Sequence, residues 1–493
     1  MKIISIICII ILCFSYLGTA QSLNTESIKV EDFDPLVDIN VTVDILSIRS
    51  LDDIDGSDTP DFFVKIKINE EEFISDIWYD KNYVYEPSFS VTTNVPDDEE
   101  FVTVEIQLYD WNPDENYLCD IGDENNNAIM TYSIKYSNWM GDDQLRDKSG
   151  YGRLNGCDDG SIYENERDCE VLFNIYQNDY DNDTLPYWVE LNGYETDPEI
   201  DNSGEDFDED GLPIEYEHKW FYNPFRWDDH KNIDDDEDSL TNYEEFLTKD
   251  FGTNPFRKDV LLEYDFMEAG PSAEENIVPT GSDDLLKNPF HRRNIVFHIN
   301  RDQMIPFDED VSIEEVFDIY NKYFLDNDTN SWKRSVFHYG LFVHECNPPG
   351  YGFSGDVSPY MGYIPGTNGL IISCRQMERS SVRDSNTIEY TFGSAIMHEM
   401  GHNFGIRFGN PLGCDNRGCI YPWRISFWLF WNYKSCMNYR YTYKIFDYSD
   451  GSHGKRDFDD WSEIDLTYFE IPNEKATFYN ILSKYFYLKG LDL

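Results

Sequence analysis

The sequence has few basic residues for its length. Its 493 residues include 38 lysines and arginines against 96 aspartates and glutamates, and the formal net charge is −58 at pH 7. Nucleic acids and anionic lipid surfaces carry charge of the same sign and would be repelled. We therefore expect no nucleic-acid partner and no docking on membranes. The excess of carboxylates indicates instead that bound cations stabilise the folded state.

Long apolar runs are also scarce. After the N-terminal segment the longest apolar stretch is "ISFWLFW", which is too short to cross a bilayer. The N-terminal "MKIISIICIIILCFSYLGTAQS" combines one lysine, an apolar run and the small residues Gly18 and Ala20, a pattern typical of secretory signal peptides. We predict that residues 1–20 are such a peptide and that the mature protein is secreted.

Cysteine is infrequent, and its number is even. Two of the ten cysteines lie in the expected signal peptide, which leaves eight in the mature chain. An even number in an exported protein favours disulfide bonds. Cys157 with Cys169 and Cys346 with Cys374 are candidate pairs, although the sequence does not fix the connectivity.

The first 175 residues contain the alternating pattern of β-strands. The segments "VDINVTVDILSI", "PDFFVKIKI", "FVTVEIQLYDW" and "CEVLFNIY" alternate apolar and polar residues and are separated by acidic turns. This pattern predicts an antiparallel β-sandwich over residues 36–175. Two of the turns, "LDDIDGSDTPDFF" and "LYDWNPDENYLCDIG", are loaded with carboxylates.

This arrangement resembles the calcium- and lipid-binding sandwich first known from protein kinase C. In that family two loops at one end of the sandwich bind calcium through aspartates. The resemblance implies calcium ligands at Asp55, Asp61, Asp110, Asn112 and Asp120. The second loop departs from the family pattern because it inserts residues before "CDIG". Lipid targeting by the sandwich would rest on this analogy alone.

Residues 176–258 contain three copies of one acidic unit. The copies read "DYDNDTLPYWVE", "DFDEDGLPIEYE" and "DDDEDSLTNYEE", and each is followed by a short helical pattern and a stop, "TDP", "YNP" or "TNP". A repeat at this interval indicates a structural array. Carboxylates at loop positions 1, 3 and 5, with a glutamate at position 12, can surround one calcium ion. The predicted ligands are Asp179, Asp181, Asp183 and Glu190, then Asp206, Asp208, Asp210 and Glu217, then Asp234, Asp236, Asp238 and Glu245.

Two further features of the repeats bear on their folding. Position 6 favours glycine for its sharp turn, but only Gly211 satisfies this, whereas Thr184 and Ser239 stand in the other copies. Leu185, Leu212 and Leu240 follow that position, and we expect them to be buried. The repeats resemble the Asp-rich calcium repeats of thrombospondins and of many bacterial and archaeal exported proteins. The resemblance implies a spacer that calcium makes rigid.

The second half of the chain carries a possible catalytic motif. Four segments read as strands, "KDVLLEYDFM", "RRNIVFHIN", "SVFHYGLFVHE" and "GLIISC", and two as helices, "SIEEVFDIYNKYF" and "TIEYTFGSAIMHEMGHNFGI". The last helix contains H-E-x-x-H. Residues four apart share one helix face, so His398 and His402 can bind one zinc ion while Glu399 takes a proton from a water molecule. We expect Gly405 to end the helix.

Downstream residues extend this pattern into a family resemblance. The stretches "IMHEMGHNFGI", "YKSCMNY" and "DYSDGSHGKRDFDDW" resemble secreted archaeal and bacterial zinc metallopeptidases related to metzincins. The resemblance implies a zincin-like α/β (α+β) domain over residues 259–475, followed by a tail at 476–493. It also implies that Met437 lies in the turn beneath the metal and that Tyr439 hydrogen-bonds the developing oxyanion.

The chain lacks the usual third zinc ligand. Metzincins take it from the sixth residue after the second histidine, and that residue here is Phe408, which has no lone pair. Catalytic zinc normally has three protein ligands. The substitutes are Asp415, Asp447, Asp450 and His453; we favour the segment with Asp450 and His453 because it follows the methionine turn. A weak two-histidine site is the remaining alternative.

Two functions follow from these features. One is a secreted, calcium-stabilised zinc endopeptidase that hydrolyses extracellular proteins or peptides. The other is a non-catalytic calcium-binding surface protein whose peptidase-like domain is degenerate, which Phe408 favours. The expected cofactors are Zn²⁺ and Ca²⁺, and the oligomeric state is not readable from the sequence.

Overall fold

The computed structural model describes residues 37–56, 59–123, 125–143, 152–327, 329–354, 368–407 and 409–468. The expected signal peptide (1–20), Phe408 and the expected tail (476–493) lie outside the described residues. Among the helices that the structure describes, none is both long enough and apolar enough to cross a membrane.

The described residues between 40 and 177 contain ten strands, which form two antiparallel sheets. They are β1 (Asn40–Ser50), β2 (Phe62–Ile68), β3 (Glu71–Ile74), β4 (Tyr83–Asn94), β5 (Phe101–Asp110), β6 (Tyr117–Leu118), β7 (Ala128–Ser133), β8 (Asn138–Gly141), β9 (Arg153–Asn155) and β10 (Cys169–Gln177). One sheet has the order β4-β1-β10-β9, and the other has the order β3-β2-β5-β7-β8, with β6 paired to β5.

One apolar core joins these two sheets. Along β5, Val102, Val104, Ile106 and Leu108 are buried, whereas the residues between them are more exposed, as the alternation in the sequence predicts. The inward residues of β1, β2, β7 and β10 belong to the same core. The antiparallel β-sandwich expected from the sequence is therefore confirmed.

Each of the three acidic loops is followed by a short helical segment. These segments are α1 (Tyr187–Val189, continued by a π turn at Glu190–Tyr194), α2 (Ile214–Trp220) and α3 (Asn242–Thr248). Leu185, Leu212 and Leu240 are buried, as expected. Leu240 packs into the core of the next unit, so the third repeat is part of that unit's interior.

The C-terminal unit is built on a mixed sheet. Its strands are β11 (Asp259–Met267), β12 (Val296–Ile305), β13 (Phe337–Val343), β14 (Gly350–Ser354) and β15 (Asn368–Ser373), and a further strand, β16 (Leu412–Asp415), lies outside it. The sheet order is β12-β11-β13-β15-β14; all neighbours are parallel except β14, which runs antiparallel to β15. Every residue of β11 is buried, as expected for a central parallel strand covered on both faces.

Helices cover both faces of this sheet. They are α4 (Gly281–His291), α5 (Ile313–Ile319, continued by a π turn at Tyr320–Phe324), α6 (Cys374–Asp384), α7 (Ile388–Asn403), α8 (Ile425–Leu429) and α9 (Asp460–Glu463). Val260 and Leu262 share a core with α4 and α7, whereas Leu261 between them faces Val316 of α5. The four strands and two helices predicted for this half of the chain are all present.

The eight cysteines of the described residues are buried free thiols, so neither expected disulfide is formed. The Cys157 thiol donates to a carboxylate oxygen of Asp168 at 3.2 Å instead of meeting Cys169. Cys169 lies beside Cys119 instead, a neighbour that sequence spacing did not suggest.

A buried ionic cluster joins the sandwich to the C-terminal unit. Glu170 of β10 accepts hydrogen bonds from Arg153 of β9 at 2.8 Å and from Nδ1 of His291, at the end of α4, at 2.8 Å. Arg49 lies 3.8 Å from the other carboxylate oxygen. Burial raises the pKa of Glu170, but these three partners outweigh it and hold the pKa well below its usual range.

Replacing Glu170 with alanine should strongly destabilise the protein. The change leaves two buried arginines without their carboxylate, which costs about 3–5 kcal/mol for a buried pair that loses one partner. Thermal unfolding of purified Glu170→Ala, compared with the exposed control Glu72→Ala, measures the effect. Equal unfolding temperatures for the two variants would contradict this account of the interface.

Candidate metal sites

The three acidic loops adopt one conformation that turns carboxylates inward. At position 1 of each loop, one aspartate oxygen accepts from the backbone N–H of position 6: Asp179 from Thr184 at 2.6 Å, Asp206 from Gly211 at 2.9 Å and Asp234 from Ser239 at 3.0 Å. At position 5, one aspartate oxygen accepts from the N–H two residues on, which belongs to the buried leucine. These bonds fix the orientation of the position 1 and position 5 carboxylates within each loop.

Position 6 is left-handed in every copy. Its φ angle is +75° at Thr184, +109° at Gly211 and +83° at Ser239. This region favours glycine, which explains the preference at that position. Thr184 and Ser239 adopt the same turn as Gly211, so the first and third loops keep the geometry of the second.

The position 12 glutamates are buried and have unsatisfied oxygens. Among the described residues no donor reaches either carboxylate oxygen of Glu217 or of Glu245, and at Glu190 one oxygen accepts from Thr196 while the other has no such partner. The two glutamates Glu217 and Glu245 are at most 1% exposed. Leaving a buried carboxylate unpaired is costly, so the loops fit a cation as the missing partner.

Each loop also receives a residue that the sequence analysis missed. The second oxygen of the position 5 aspartate accepts the backbone N–H of Asn202 in the first loop (3.1 Å), Asp228 in the second (3.2 Å) and Asp259 in the third (2.6 Å). The Asn202 side-chain oxygen is buried without a partner. A signal was present, because each of these residues stands four positions after the proline of the stop: Pro198, Pro224 and Pro255.

The carboxylates of each loop are buried close to one another, and this raises the pKa values of several of them. Burial, then repulsion from neighbouring aspartates, raises the pKa of Glu190 to about 7, of Glu217 to about 9 and of Asp236 to about 8. The charge of Asp228 contributes to the shift at Glu217, and that of Asp259 to the shift at Asp236. Each loop thus concentrates carboxylates whose burial and mutual repulsion favour the protonated form.

The sandwich loops bring four of their five predicted ligands together. An oxygen of Asp110 accepts from the backbone N–H of Asp61 at 2.9 Å, and its other oxygen accepts from the Asn112 amide at 2.9 Å. Burial, then the charge of Asp55 among other contributions, raises the pKa of Asp110. Asp120 instead belongs to a separate group with Asp159 and Glu166, because the chain there pairs with residue 168. The structure therefore groups Asp120 with residues other than the four ligands predicted with it.

A further candidate site lies at the C-terminal end of α7, which carries His398 and His402. Gly405 has a φ of +98° and donates to the His402 carbonyl at 3.2 Å, while Ile406 donates to the Gly401 carbonyl at 2.9 Å. These two bonds form the Schellman arrangement that ends helices at a left-handed glycine. The predicted role of Gly405 is confirmed.

Asp415 occupies the space between the two histidines. Its carboxylate oxygens lie 3.0 Å from Nε2 of His398 and 3.1 Å from Nε2 of His402. One atom from each of the three residues lies within 4.8 Å of the others, which is compatible with a single metal ion. Two imidazoles and one carboxylate are a donor set that catalytic zinc uses.

Both imidazoles are oriented by backbone carbonyls. Nδ1 of His398 donates to the Cys436 carbonyl at 2.9 Å, and Nδ1 of His402 donates to the Ile406 carbonyl at 2.6 Å. This leaves each Nε2 facing Asp415, as carbonyls that orient histidine ligands do in metal sites. The Asp415 N–H donates to the carbonyl of buried Met437 at 3.1 Å, so the predicted methionine turn supports the site from below.

The two predicted catalytic side chains border the same site. Glu399 is buried beside β14, where burial raises its pKa against the opposing effect of His398 and His402. The Tyr439 ring stacks on the His398 ring with centroids 5.6 Å apart. Burial, followed by the charges of Asp415 and Glu399, raises the Tyr439 pKa and keeps its hydroxyl protonated.

The favoured third ligands, Asp450 and His453, do not join this group. His453 Nδ1 lies 2.8 Å from Asp457 and 3.7 Å from Asp450, and the three form a separate cluster. Asp447 accepts from the Trp461 indole at 3.0 Å. The segment after the methionine turn is thus held by its own partners. Asp415, the remaining candidate from the sequence, faces the histidines.

The histidine–aspartate contact shifts the pKa values of all three groups. Burial lowers the pKa of each imidazole, but the Asp415 carboxylate more than reverses this and raises the pKa of His402 to about 9. Burial likewise raises the pKa of Asp415, and the two imidazoles overcome it and hold that pKa far below its usual range. Positive charge is therefore stabilised at this point of an otherwise acidic protein.

Comparisons with known proteins give only distant similarities. No protein-family model matches the chain, and no curated protein matches it. A structure of human GIVD cytosolic phospholipase A2 is similar over 28% of this chain and 17% of its own, at 16% identity and a TM-score of 0.18. A structure of two domains of extended-synaptotagmin 2 is similar over 28% of this chain and 40% of its own, at 9% identity and a TM-score of 0.19.

A C2 domain protein from Ramazzottius varieornatus is similar over 28% of this chain and 88% of its own. It is 9% identical, with a TM-score of 0.20. The chain spans less than a fifth of the phospholipase. Likenesses at these TM-scores carry no argument about this chain, and the sites rest on their own geometry.

In chelator-treated protein, thermal stability should fall as the pH rises from about 6.5 to about 9. Glu190, Glu217 and Asp236 have raised pKa values in the folded state, so the stability gained from their protonation is lost as the pH passes through those values. Buried His218, His291 and His338, whose pKa values are lowered, favour the opposite slope only below this window.

Unfolding temperatures across this pH series, with EDTA and with excess calcium, provide the measurement. Calcium should raise the unfolding temperature most at the alkaline end. A flat or rising profile in EDTA would show that the loop carboxylates are already neutralised within the protein.

Proposed function

We propose that this chain is a zinc-dependent endopeptidase stabilised by calcium and active outside the cell. The observation that carries the proposal is the position of Asp415, whose carboxylate faces Nε2 of both His398 and His402. The third donor missing at the usual place in the sequence is thus available from another segment. The extracellular setting rests on the N-terminal segment of the sequence.

The residues present fit zinc. His398, His402 and Asp415 supply two nitrogens and a carboxylate, and the Nδ1 contacts orient both imidazoles with Nε2 toward the carboxylate. Both Nε2 atoms lie close to the Asp415 carboxylate, so a single metal ion could meet all three donors. Zinc held there would supply Lewis acidity toward a water molecule and a peptide carbonyl.

The surrounding side chains can carry out the proton transfers of peptide hydrolysis. Glu399 precedes the helix turn of His402 and is poised to accept a proton from water and to give it to the leaving amine. Its raised pKa, caused by burial, suits a group that must both take and release a proton. The Tyr439 hydroxyl, kept protonated, can donate a hydrogen bond to the oxyanion.

An edge strand offers a place for the substrate main chain. β14 is the last strand of the described sheet, and its Gly350 lies against Glu399, since a Cβ at Gly350 would come within 3.2 Å of a Glu399 carboxylate oxygen. A peptide that pairs with the outer edge of β14, where no other described strand lies, would place a scissile bond beside Glu399. Because pairing with a strand edge uses main-chain groups, this geometry supports protein or peptide substrates of varied sequence.

Calcium in the three repeats and the sandwich loops completes the proposal. The buried, unpartnered oxygens of the repeats and the five-residue ligand sets, including Asn202, Asp228 and Asp259, support one ion for each loop. Bound ions would stiffen a segment that otherwise accumulates repulsion. The third ion would also brace β11, because Asp259 is that strand's first residue.

Zinc content and proteolysis test the enzyme directly. We expect the purified chain to contain about one zinc ion per chain at this site and to hydrolyse casein until a chelator is added. Asp415→Asn should lose most of the zinc, because the neutral amide that replaces the carboxylate is a much weaker zinc ligand. Asp450→Asn is the matched control and should keep both zinc and activity.

The Glu399→Gln variant separates catalysis from metal binding. It should retain zinc and its unfolding temperature while casein hydrolysis falls by about 10²–10⁴-fold, the contribution typical of general base catalysis. Zinc bound without any hydrolysis in the parent protein would favour the non-catalytic alternative. Absence of zinc from a folded, calcium-loaded protein would contradict the proposal.

The second repeat provides the sharpest test of calcium binding. Glu217→Gln should reduce the calcium stoichiometry by one ion per chain, because both oxygens of this buried carboxylate lack protein partners. The control Glu209→Gln removes the same charge from the same loop, but its side chain is exposed to solvent and binding should be unchanged. Calorimetric titration of the chelated protein gives the stoichiometry.

The same titration tests Asp228, which the repeat pattern alone does not include. Asp228→Asn should weaken the second site by about tenfold, since calcium affinity depends on the number of charged ligands. Equal affinities for Asp228→Asn and the Glu209→Gln control would remove Asp228 from the ligand set.

A further inference from the structure

The surface around α8 exposes large apolar side chains close together. Trp423 is 77% exposed, Ile425 80% and Trp428 65%. Further residues of the same region exceed 40%: Leu412, Ile420, Tyr421 and Trp431. We name this region, residues 412–431, the aromatic surface. Contiguous exposed apolar patches of this kind mark interaction sites on soluble proteins.

The aromatic surface is held in shape from beneath. The Trp428 indole donates to the Pro422 carbonyl at 2.8 Å and stacks on Trp431 with an interplanar angle of 8°. Arg440 lies 3.5 Å from the centre of the Trp431 ring and donates to the Phe427 carbonyl. These contacts fix the exposed rings in place, so the protein displays them without the entropy cost of ordering them on binding.

The charge of this region is opposite to that of the rest of the chain. Between residues 416 and 446 the sequence contains no aspartate or glutamate, although the whole chain carries a net charge of −58. The same stretch contains five basic residues, Arg417, Arg424, Lys434, Arg440 and Lys444. Arg417 and Arg424 are exposed on the aromatic surface itself, and Lys444 is exposed further along the chain.

We propose that the aromatic surface docks the protein on a lipid surface with anionic headgroups. Tryptophan and tyrosine prefer the boundary between hydrocarbon and headgroups, and lysine and arginine are attracted to anionic lipids beside them. The acidic domains elsewhere oppose this only weakly, because charges more than about 8 Å from the lipid surface are screened at physiological salt. Docking here does not depend on peptidase activity.

A second copy of the chain fits this surface less well. A symmetric dimer would place the same patch on both sides of the interface, so basic residues would face basic residues. It would also bring two strongly acidic chains together. The expectation that the protein does not dock on membranes came from its overall charge, whereas the stretch that forms the aromatic surface is locally basic.

Docking would also place the histidine–aspartate site near the lipid. Asp415 lies within the stretch that forms the aromatic surface, and Tyr439, which stacks on His398, follows it in the chain. If the proposed hydrolysis takes place, proteins anchored in or resting on the membrane would be its nearest substrates.

Vesicle sedimentation tests the docking. With calcium present throughout, the full chain should cosediment with phosphatidylcholine vesicles that contain phosphatidylserine, and less with phosphatidylcholine alone. Trp423→Ser combined with Ile425→Ser should weaken binding at least about tenfold, because these side chains provide the apolar contact. Ile74→Ser combined with Trp227→Ser, also strongly exposed, is the matched control and should bind normally.

Unfolding temperature confirms that each variant is folded. The proposal would be overturned by no binding of the parent protein, by equal binding to both kinds of vesicle, or by full binding of the Trp423 and Ile425 variant, which would assign docking to the sandwich loops. Self-association of the parent chain that the same variant abolishes would likewise overturn it, in favour of a second copy. Loss of casein hydrolysis in solution would not bear on it.

Discussion

Buried carboxylate that the protein does not neutralise is the constraint on which this structure depends. Glu217 and Glu245 lie in the interior, no donor in the described part of the chain reaches either carboxylate, and the aspartates around them raise their pKa values further. A buried unpaired charge costs several kcal/mol or takes up a proton. The loops can be stable at neutral pH if a cation supplies the missing charge. Metal binding and folding are therefore coupled in this protein.

The third loop extends this constraint into the C-terminal unit. Asp259 is the first residue of β11, donates its N–H to Asp238 and accepts from His298 at 2.6 Å. Ser239 in the same loop donates to the Leu466 carbonyl near the end of the described chain. β11 therefore begins in contact with the third loop. A change in the charge of that loop would affect the start of this central strand, and with it the sheet on which α7 packs.

At the histidine–aspartate site, by contrast, the protein itself compensates the charge of a buried carboxylate. There the buried carboxylate of Asp415 is matched by two imidazoles, and the low pKa of Asp415 reflects their charge. The three residues come from two places, a helix and a short strand that the methionine turn fixes through Asp415 and Met437. An arrangement that holds a carboxylate against two oriented imidazoles is suited to one divalent ion.

Local features of the fold could be predicted from the sequence. The strands, the helix of His398 and His402, the stop at Gly405 and the burial of Leu185, Leu212 and Leu240 each follow from periodicity or turn chemistry. The position of Asp415 could not be predicted, because it depends on how the chain returns after α7. The same holds for Asp120 and for the unpaired cysteines, whose neighbours are set by contacts between distant strands.

The loop residues Asn202, Asp228 and Asp259 could be predicted from the sequence only in part. Each follows a proline by four positions, so the repeat contained their signal, but a twelve-residue pattern ends before it reaches them. Long-range hydrogen bonds to the position 5 aspartates are what identify them as part of the loops.

X-ray absorption at the zinc edge of the purified chain most directly tests the central claim about the histidine–aspartate site. The account predicts zinc bound by two imidazole nitrogens and a carboxylate oxygen at about 2.0–2.2 Å, with the oxygen contribution reduced in Asp415→Asn. A spectrum dominated by sulfur ligands would contradict it, as would a first shell unchanged in Asp415→Asn.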